Sequence, residues 1–393
     1  MLVIIRHASL GTPKWRSWTA REGIPLTLRI LMFNWRDMQH PEAGGAEKYL
    51  VTVAEGLAAR GHEVIFRTAA YPGAVTDEVV QGVRYVRKGG RLGIYPRALM
   101  ANLTRRYDAD VVIDVQNGVP YLSPLTRRRP VINLVHHVHK EQWPVFFGSS
   151  VAKVGWWLES RVAPRVYSRT SYVAVSDATR HELSGLGVSP DRVAVIHNGT
   201  DATPLDGTPR SAHPSLMVLG RLAPQKRVEI ALETTARLLL EVPNLTLDVV
   251  GSGHWEPHLR ARVAELGIGE HVTFHGHVSE HEKHQLLARA WVHLLPSLKE
   301  GWGLVVVEAG VHGTPTVAFT EAGGPTNSIV QGKTGILVDH GPREFTQAVR
   351  DLLLDEDKRA RMSAEVATWV AQFHWDESVD RWERTLLEAA GQG

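Results

Sequence analysis

The chain has 393 residues, of which 43% are hydrophobic and 22% charged, and it contains no cysteine. This length suits two domains of ordinary size, and the composition is that of a soluble globular protein. The lack of cysteine excludes disulfides and thiolate metal sites and favours a reducing, cytoplasmic compartment. No apolar run approaches the roughly 18 to 20 residues that span a bilayer, and the apolar stretch before Arg6 is too short for a secretory signal.

The net charge of +2 is unevenly distributed along the chain. Residues 1–200 carry about 26 Lys and Arg against about 16 Asp and Glu, and the remainder is acidic. A basic first half favours contact with an anionic lipid surface, at the inner face of a membrane, or with an acidic acceptor. Solvated surface charge is an equally good explanation. We expect no nucleic-acid partner.

The first half of the chain alternates short apolar runs with helical patterns. Residues 1–25 read as an extension, and 26–203 as the first domain. A helix is predicted over Glu47 to Arg60, because apolar residues recur there at helical spacing and Gly61 ends the pattern. The predicted strands of this half are 26–34, 62–69, 110–115, 131–136, 172–176 and 193–199.

The second half repeats this alternation after a proline-rich segment, 200–215, that reads as an interdomain linker. We predict a second domain over 204–375 and a final amphipathic helix, 376–393, that packs back on the first domain. The predicted strands are 215–222, 245–253, 272–278, 291–297 and 314–321, and the helices are 229–241, 255–266, 280–290 and 304–312. Such alternation predicts an α/β protein with two doubly wound parallel sheets and ligands at the carboxyl ends of the strands.

Three segments carry residue types suited to a phosphate-bearing ligand. Gly44 and Gly45, in EAGGAE, follow the first strand and open a helix, where backbone and helix amides can approach an anion. A plain flexible turn is the alternative, and the G-x-G-x-x-G pattern of a dinucleotide site is absent. Arg221 and Lys226, in GRLAPQK, flank a loop after a strand and suit a diphosphate. Two exposed surface cations are the alternative there.

The third segment is PSLKEGWGLVVVEAGVHGTP, residues 296–315. Glu300 lies in a loop that closes a strand, and a helix begins near Leu304 with unpaired amides that can meet phosphate oxygens. Glu308 follows about one turn into this helix. A carboxylate there can accept hydrogen bonds from ribose hydroxyls. We disfavour a solvated position because the surrounding residues are apolar, so this carboxylate calls for a partner.

A fourth segment, PVINLVHHVH, delivers His136 and His137 to the end of a buried strand. A histidine there can donate a hydrogen bond to a sugar hydroxyl. A structural histidine and a metal site of His137 with His139 are the alternatives, although no third ligand is evident. Asp108 and Asp110 resemble a D-x-D metal motif, but they precede a buried strand and so face away from the ligand edge. We interpret them as structural.

Taken together, these motifs resemble family 4 glycosyltransferases, a retaining group with the GT-B fold of two Rossmann-like domains that face a central cleft. The resemblance covers about residues 28–375. Its most specific element is E-x7-E, Glu300 to Glu308, and GRLAPQK, GGAE, HNGTD and VTFHGHVS also match. After EAGG, however, this chain has Pro325 to Ser328 where many members carry a further Glu.

The resemblance implies roles for individual residues. Arg221 and Lys226 would neutralise the donor diphosphate, Glu308 would hold the ribose, and Glu300 the transferred sugar. His136 would be the active-site histidine, with His137 as the fallback. The donor-contacting residues implied are Gly44, Gly45, Arg221, Lys226, His277, Val278, Glu300, Gly301, Gly303, Leu304, Val305 and Glu308, and the catalytic ones are His136, Glu300, Arg221 and Lys226.

The implied activity is a metal-independent, retaining hexosyltransferase that uses a nucleoside-diphosphate sugar as co-substrate and needs no cofactor. Its acceptor would be a glycan, a lipid or a small natural product. A sugar-nucleotide epimerase or a phosphorylase on the same fold, a metal-dependent transferase, and a non-catalytic carbohydrate- or lipid-binding protein are the alternatives.

Overall fold

The computed structural model describes residues 27–126, 130–201, 207–339 and 341–391. The expected N-terminal extension, 1–25, and residues 202–206 of the linker lie outside these ranges.

The first domain is built on an eight-stranded sheet in the order β3-β4-β2-β1-β5-β6-β7-β8. Its strands are β1 (Arg29–Phe33), β2 (Glu63–Thr68), β3 (Asp77–Val80), β4 (Val83–Arg87), β5 (Val111–Gln116), β6 (Val131–Val135), β7 (Ser171–Ala174) and β8 (Val193–Val195). Its helices are α1 (Gly45–Ala59), α2 (Ile94–Leu103), α3 (Trp143–Phe146), α4 (Ser149–Trp157), α5 (Ala163–Val166) and α6 (Asp177–Gly185). A π-helical turn, Leu158–Val162, joins α4 to α5.

The sheet is parallel except at one edge, where β3 pairs antiparallel with β4. This hairpin departs from the all-parallel sheet that the sequence predicts. β3 is a solvent-facing edge strand that begins with Asp77 and Glu78, so it lacks the apolar run by which the central strands are recognised.

The second domain has a six-stranded sheet in the order β11-β10-β9-β12-β13-β14, parallel throughout. The strands are β9 (Ser215–Leu219), β10 (Thr246–Val250), β11 (Val272–Gly276), β12 (Val292–Leu295), β13 (Thr316–Phe319) and β14 (Gly335–Val338). The helices are α7 (Val228–Leu238), α8 (Glu256–Leu266), α9 (Glu280–Arg289), α10 (Leu304–Val311), α11 (Pro325–Ser328), α12 (Pro342–Leu354), α13 (Glu356–Val370) and α14 (Trp375–Gly391). Two such sheets with helices on both faces form the GT-B fold.

The last helix, α14, packs against α1 of the first domain. The indole Nε1 of Trp382 donates to the Tyr49 hydroxyl at 2.6 Å, and both side chains are fully buried. Val379 packs so closely on Gly56 that a Cβ there would lie 2.5 Å from its methyl carbon. The same apolar core includes Trp302 and Val307 of the second domain, so a continuous core joins the two domains beside the cleft.

Among the described residues, none of the helices combines the length and the apolar character needed to cross a bilayer.

Candidate active site

Two helix N-termini meet where the domains face each other. α1 begins at Gly45 and α10 begins at Leu304, and a Cβ built on Gly45 would lie 3.8 Å from the Leu304 side chain. The first amides of each helix lack intrahelical partners and carry partial positive charge. One small region of the cleft is therefore positive from both sides before any side chain is considered.

The loop before α10 depends on glycine for its approach to the first domain. A Cβ on Gly301 would lie 2.5 Å from the main-chain oxygen of His136, a distance that van der Waals contact forbids. Gly303 has φ +86° and caps α10, a conformation that only glycine adopts at no steric cost. Gly301 thus lets this loop lie close to the residue that follows β6, and Gly303 lets α10 begin directly after it.

The two predicted cations lie on this edge of the second domain. Arg221 and Lys226 line one small cavity at the carboxyl ends of β9 and β12, together with Gly220 and Ser297. Arg221 Nη1 donates to the main-chain oxygen of Glu42 in the first domain at 3.0 Å. Its guanidinium therefore bridges the two domains.

Lys226 and Glu300 form an ion pair. Lys226 Nζ lies 2.6 Å from Glu300 Oε1, and both side chains are mostly buried. The sequence places each at the cleft without indicating that they touch. A ligand phosphate that binds Lys226 would have to share its ammonium group with this carboxylate. The ion pair also fixes the position of Glu300, which could accept a hydrogen bond from a ligand hydroxyl.

Glu308 lies in the first turns of α10 and has the partner that its apolar surroundings required. Lys283 Nζ of α9 lies 2.7 Å from Glu308 Oε1 and also 2.7 Å from Glu280 Oε2. Burial raises the pKa of the Glu308 carboxyl, and the charge of Lys283 and its hydrogen bond oppose that rise. Lys283 is a residue that the sequence did not single out, because 25 positions and the strand β12 separate it from Glu308.

His277 and Val278 follow β11 and border the same region. Val278 is half-buried in a small cluster with Ala309 of α10, and His277 is exposed. Leu304 packs on the shared core and Val305 on a second cluster beneath α10. The segment expected to hold a base therefore adjoins the helix that carries Glu308.

His136 ends β6 with its ring buried rather than open to the cleft. The ring packs edge-on against Tyr49, 5.5 Å between centroids, and burial lowers its pKa to about 3. Its Nε2 is buried and meets no hydrogen-bond partner among the described residues. His136 is thus a neutral ring with an unused polar atom, placed by its main chain against Gly301.

The side chains of His137 and His139 form hydrogen bonds with other residues of the first domain. His137 Nε2 lies 3.3 Å from Gln142 Oε1, and burial lowers its pKa well below the usual value. Glu159 accepts from His139 Nδ1 at 2.9 Å and from Trp143 Nε1 at 2.8 Å. Within the described ranges, no three His, Asp or Glu side chains are grouped as a metal site.

The aspartates interpreted as structural lie at the amino end of the first sheet. Asp108 pairs with Arg29 Nη1 at 2.6 Å, and Asp110 accepts from the Arg29 amide at 2.9 Å. This is the edge opposite the carboxyl ends of β1 and β5, so both carboxylates face away from the cleft.

The segment that differs from the resembled pattern connects the domains. Asn327 Oδ1 in α11 accepts from the Ala178 amide at the start of α6, at 3.0 Å. Lys299 also pairs with Glu182 of α6. No sequence pattern had indicated these contacts, since each partner comes from a different domain.

Two family models match the chain, one over each domain. The model described as Glycosyltransferase Family 4 matches residues 43–204, and the model described as Glycosyl transferases group 1 matches residues 208–369. The D-inositol 3-phosphate glycosyltransferase of Streptomyces scabiei is 29% identical, over 86% of this chain and 84% of its own length. The protein of that name from Acidothermus cellulolyticus is 26% identical, over 95% and 92%.

Solved structures share the architecture. Sucrose-phosphate synthase from Thermosynechococcus elongatus has a TM-score of 0.79 at 20% identity, covering 93% of this chain and 100% of that one. HepE from Anabaena, solved in complex with UDP-glucose, has a TM-score of 0.70 at 20% identity, covering 91% and 99%. At this identity the likeness concerns the fold.

Proposed function

Because this chain belongs to glycosyltransferase family 4 and has the GT-B fold, we propose that it transfers a sugar from a nucleoside-diphosphate sugar to an acceptor hydroxyl, with retention and without a metal ion. The observation that carries the proposal is that Arg221 and Lys226 line one cavity and contact Glu42 and Glu300, in the loops that lead into α1 and α10, whose N-termini meet. Such a set of fixed positive charges suits a diphosphate.

The remaining donor groups follow from this placement. With the diphosphate beside Lys226, Glu308 of α10 takes the ribose hydroxyls and the main chain at His277 and Val278 takes the base. Glu300 takes the hydroxyls of the transferred sugar. The likeness in fold to HepE, which was solved with UDP-glucose, supports a donor of this chemical class.

Catalysis then rests on stabilising the leaving group. As the bond from the anomeric carbon to the diphosphate oxygen breaks, negative charge grows on that oxygen, and Arg221, Lys226 and the helix amides stabilise it. These groups supply the positive charge that a metal ion would supply in other transferases. The sugar passes through an oxocarbenium-like state.

Retention follows if the acceptor attacks on the face that the diphosphate leaves. The acceptor oxygen bonds to the anomeric carbon, and its proton passes to the departing phosphate oxygen. His136 contributes as a positioning residue, because its ring packs on Tyr49 and its main-chain oxygen lies against the Gly301 loop before α10.

We also propose an acceptor that carries sugar or polyol hydroxyls, in line with the inositol phosphate named for the curated relatives. Trp35 lies on the first-domain side of the cleft with Arg36 over its ring at 4.0 Å and Arg91 at 5.3 Å. Because Arg36 is already paired with Glu47 and Glu42, Arg91 is the cation here that suits an acidic group on the sugar. We further propose a cytoplasmic location with peripheral contact at the inner membrane face.

A thermal-shift screen against UDP, GDP, TDP and ADP sugars tests the donor proposal, because a bound ligand raises the unfolding temperature by mass action. The matched control is Lys226→Ala, which should lose the shift, whereas Lys333→Ala, an exposed cation of the same domain, should keep it. A stabilising donor is then incubated with inositol phosphates and simple sugars in the presence of a chelator, and the anomeric configuration is read by NMR. An inverted product, or a chelator-sensitive one, contradicts the proposed mechanism.

Incubation with the donor alone distinguishes an epimerase from a transferase. A new sugar nucleotide formed without any acceptor would assign the chain to that reaction. Slow hydrolysis to the free sugar is instead what a transferase with an open acceptor site should give.

A further inference from the structure

The face of α4 that points away from the protein carries large apolar side chains. Val151, Val154 and Trp157 recur at helical spacing and are exposed by 56%, 58% and 57%. Val145 and Phe146 of α3 are exposed beside them, by 41% and 43%. We call these five residues the apolar stripe. Large apolar groups on the outer face invert the usual arrangement of a surface helix.

The inner face of α4 explains why these side chains cannot turn inward. Ala152 and Gly155 are buried on this face, and Gly155 packs on Trp143 so closely that a Cβ there would lie 2.3 Å from the indole ring. Trp143 is in turn anchored by its hydrogen bond to buried Glu159. The helix is therefore fixed against the domain through its small residues, and the apolar stripe faces outward permanently.

The exposed charges within and after the apolar stripe, up to residue 176, are cations. These exposed cations are Lys153, within α4, and Arg161, Arg165 and Arg169, which follow α4 along the chain. The only carboxylate between residues 142 and 176 is Glu159, whose side chain is fully buried. Glu141, just before this segment, is exposed. An apolar surface bordered by cations complements an anionic lipid surface, where apolar groups enter the acyl boundary and cations meet the headgroups.

The position of the apolar stripe relates it to the cleft. α3 and α4 follow the His136 segment directly, and Arg91, from the loop before α2, lies 5.9 Å from the Phe147 ring between them. Leu92 beside Arg91 is the next exposed apolar residue, by 80%. The stripe thus borders the first-domain side of the cleft, where the acceptor is proposed to bind.

We propose that the apolar stripe docks the protein on an anionic phospholipid bilayer, through Val151, Val154 and Trp157 as inserted groups and Lys153, Arg161 and Arg165 as headgroup contacts. This assigns residues to the membrane contact proposed above and does not depend on the transfer reaction. An acceptor held in or near the membrane would then lie beside the open edge of the cleft.

Cosedimentation of the full chain with vesicles tests this docking. The vesicles are phosphatidylcholine alone or an equal mixture of phosphatidylcholine and phosphatidylglycerol. The parent protein should bind the anionic vesicles more tightly than the neutral ones, with an affinity that falls with salt. The triple variant Val151→Ser, Val154→Ser, Trp157→Ser should lower the partition coefficient by about tenfold or more.

Two comparisons make the result specific. The double variant Leu240→Ser, Leu354→Ser removes apolar groups of the second domain that are exposed by 88% and 52% and should bind as the parent does. The variant Lys153→Gln, Arg161→Gln, Arg165→Gln should lose most of the preference for anionic vesicles. Each variant is first tested for the same thermal shift with the donor as the parent shows. This test distinguishes a loss of donor binding from a loss of lipid binding.

Equal binding of the parent to both vesicle types, or parent-like binding of the triple variant, overturns the proposal. Sedimentation velocity tests the alternative that a second copy of the chain binds the apolar stripe. If the parent is a dimer that the triple variant converts to a monomer, and neither binds lipid, the apolar stripe is a contact between copies of the chain.

Discussion

Lys283 Nζ lies 2.7 Å from Glu308 Oε1, in a region where both side chains are almost fully buried. The other charged groups that act on this carboxyl are Glu280 on α9 and Lys48 on α1. Burial favours the neutral acid, whereas accepting two ribose hydroxyls requires the carboxylate. Lys283 therefore decides whether Glu308 is ionised when a nucleotide arrives.

We predict that Lys283→Met makes nucleotide affinity depend on pH. Without the ammonium the pKa of Glu308 rises further, so the carboxylate is lost as the pH falls. The dissociation constant of a nucleoside diphosphate, measured by calorimetry, should increase about tenfold between about pH 8 and about pH 6, while that of the parent changes little. Lys283→Arg should restore the parent profile.

Glu308→Gln separates two ways in which this prediction could fail. If Glu308→Gln weakens binding but Lys283→Met leaves the pH profile flat, Glu308 holds the ribose without help from Lys283. If Glu308→Gln also binds normally, the proposed ribose site itself is wrong.

Lys226→Ala should lower kcat/KM by about a hundredfold or more, because it removes a charge that is needed most in the transition state. It should also lower the free energy of unfolding, by about 1 to 3 kcal/mol, because it leaves the mostly buried Glu300 carboxylate without its partner. Steady-state kinetics and urea unfolding measure the two quantities, with Lys333→Ala as the matched control. An unchanged kcat/KM would remove Lys226 from the diphosphate site.

The sequence predicted the central strands because they are buried on both faces and therefore read as continuous apolar runs. β1 and β6 lie within one to three residues of their predicted bounds. The same reasoning missed the hairpin of β3 and β4, because β3 has polar residues that face solvent at the sheet edge and arginines interrupt the apolar residues of β4. It also missed β14, a four-residue strand in which two residues are only half-buried.

The sequence predicted where the candidate site residues lie in the fold, but it predicted few of the contacts between their side chains. Loops at the carboxyl ends of parallel strands meet at one edge, so Arg221, Lys226 and Glu300 could be placed at the cleft from their order in the chain. The pairing of Lys226 with Glu300 and of Lys283 with Glu308 joins separate elements, which no local period encodes. The side chain of His136 was expected to serve the cleft, yet its ring packs against Tyr49.

Gly301→Ala should impair catalysis through the contact between domains. The new Cβ would lie 2.5 Å from the His136 oxygen and 3.2 Å from a methyl carbon of Val175, so α10 could not begin as close to the first domain. A shift of about 1 Å in a reacting site can lower the rate about a hundredfold. We expect kcat/KM to fall by at least about tenfold. X-ray scattering should show a larger radius of gyration with donor bound.

Gly269→Ala is the control for this effect, because a Cβ at Gly269 meets nothing within 4 Å. It should retain the parent kcat/KM and scattering profile. Parent-like kinetics of Gly301→Ala would show that the domains approach each other differently during catalysis.

His136 should make the folded state less stable in acid. Burial lowers its pKa to about 3 from a usual value of 6.5, so the unfolded chain binds this proton at a higher pH than the folded chain does. The free energy of unfolding should therefore fall as the pH drops from about 6.5 toward 3, with this one ring contributing up to about 1.4 kcal/mol per pH unit.

His136→Gln removes that titration, and urea unfolding between about pH 6 and about pH 4.5 should give a shallower slope by up to that amount. The exposed His181, replaced by Gln, should leave the slope as in the parent. If the slope is the same in His136→Gln and the parent, folding does not lower the pKa of this ring, and the neutral buried state inferred for it is wrong.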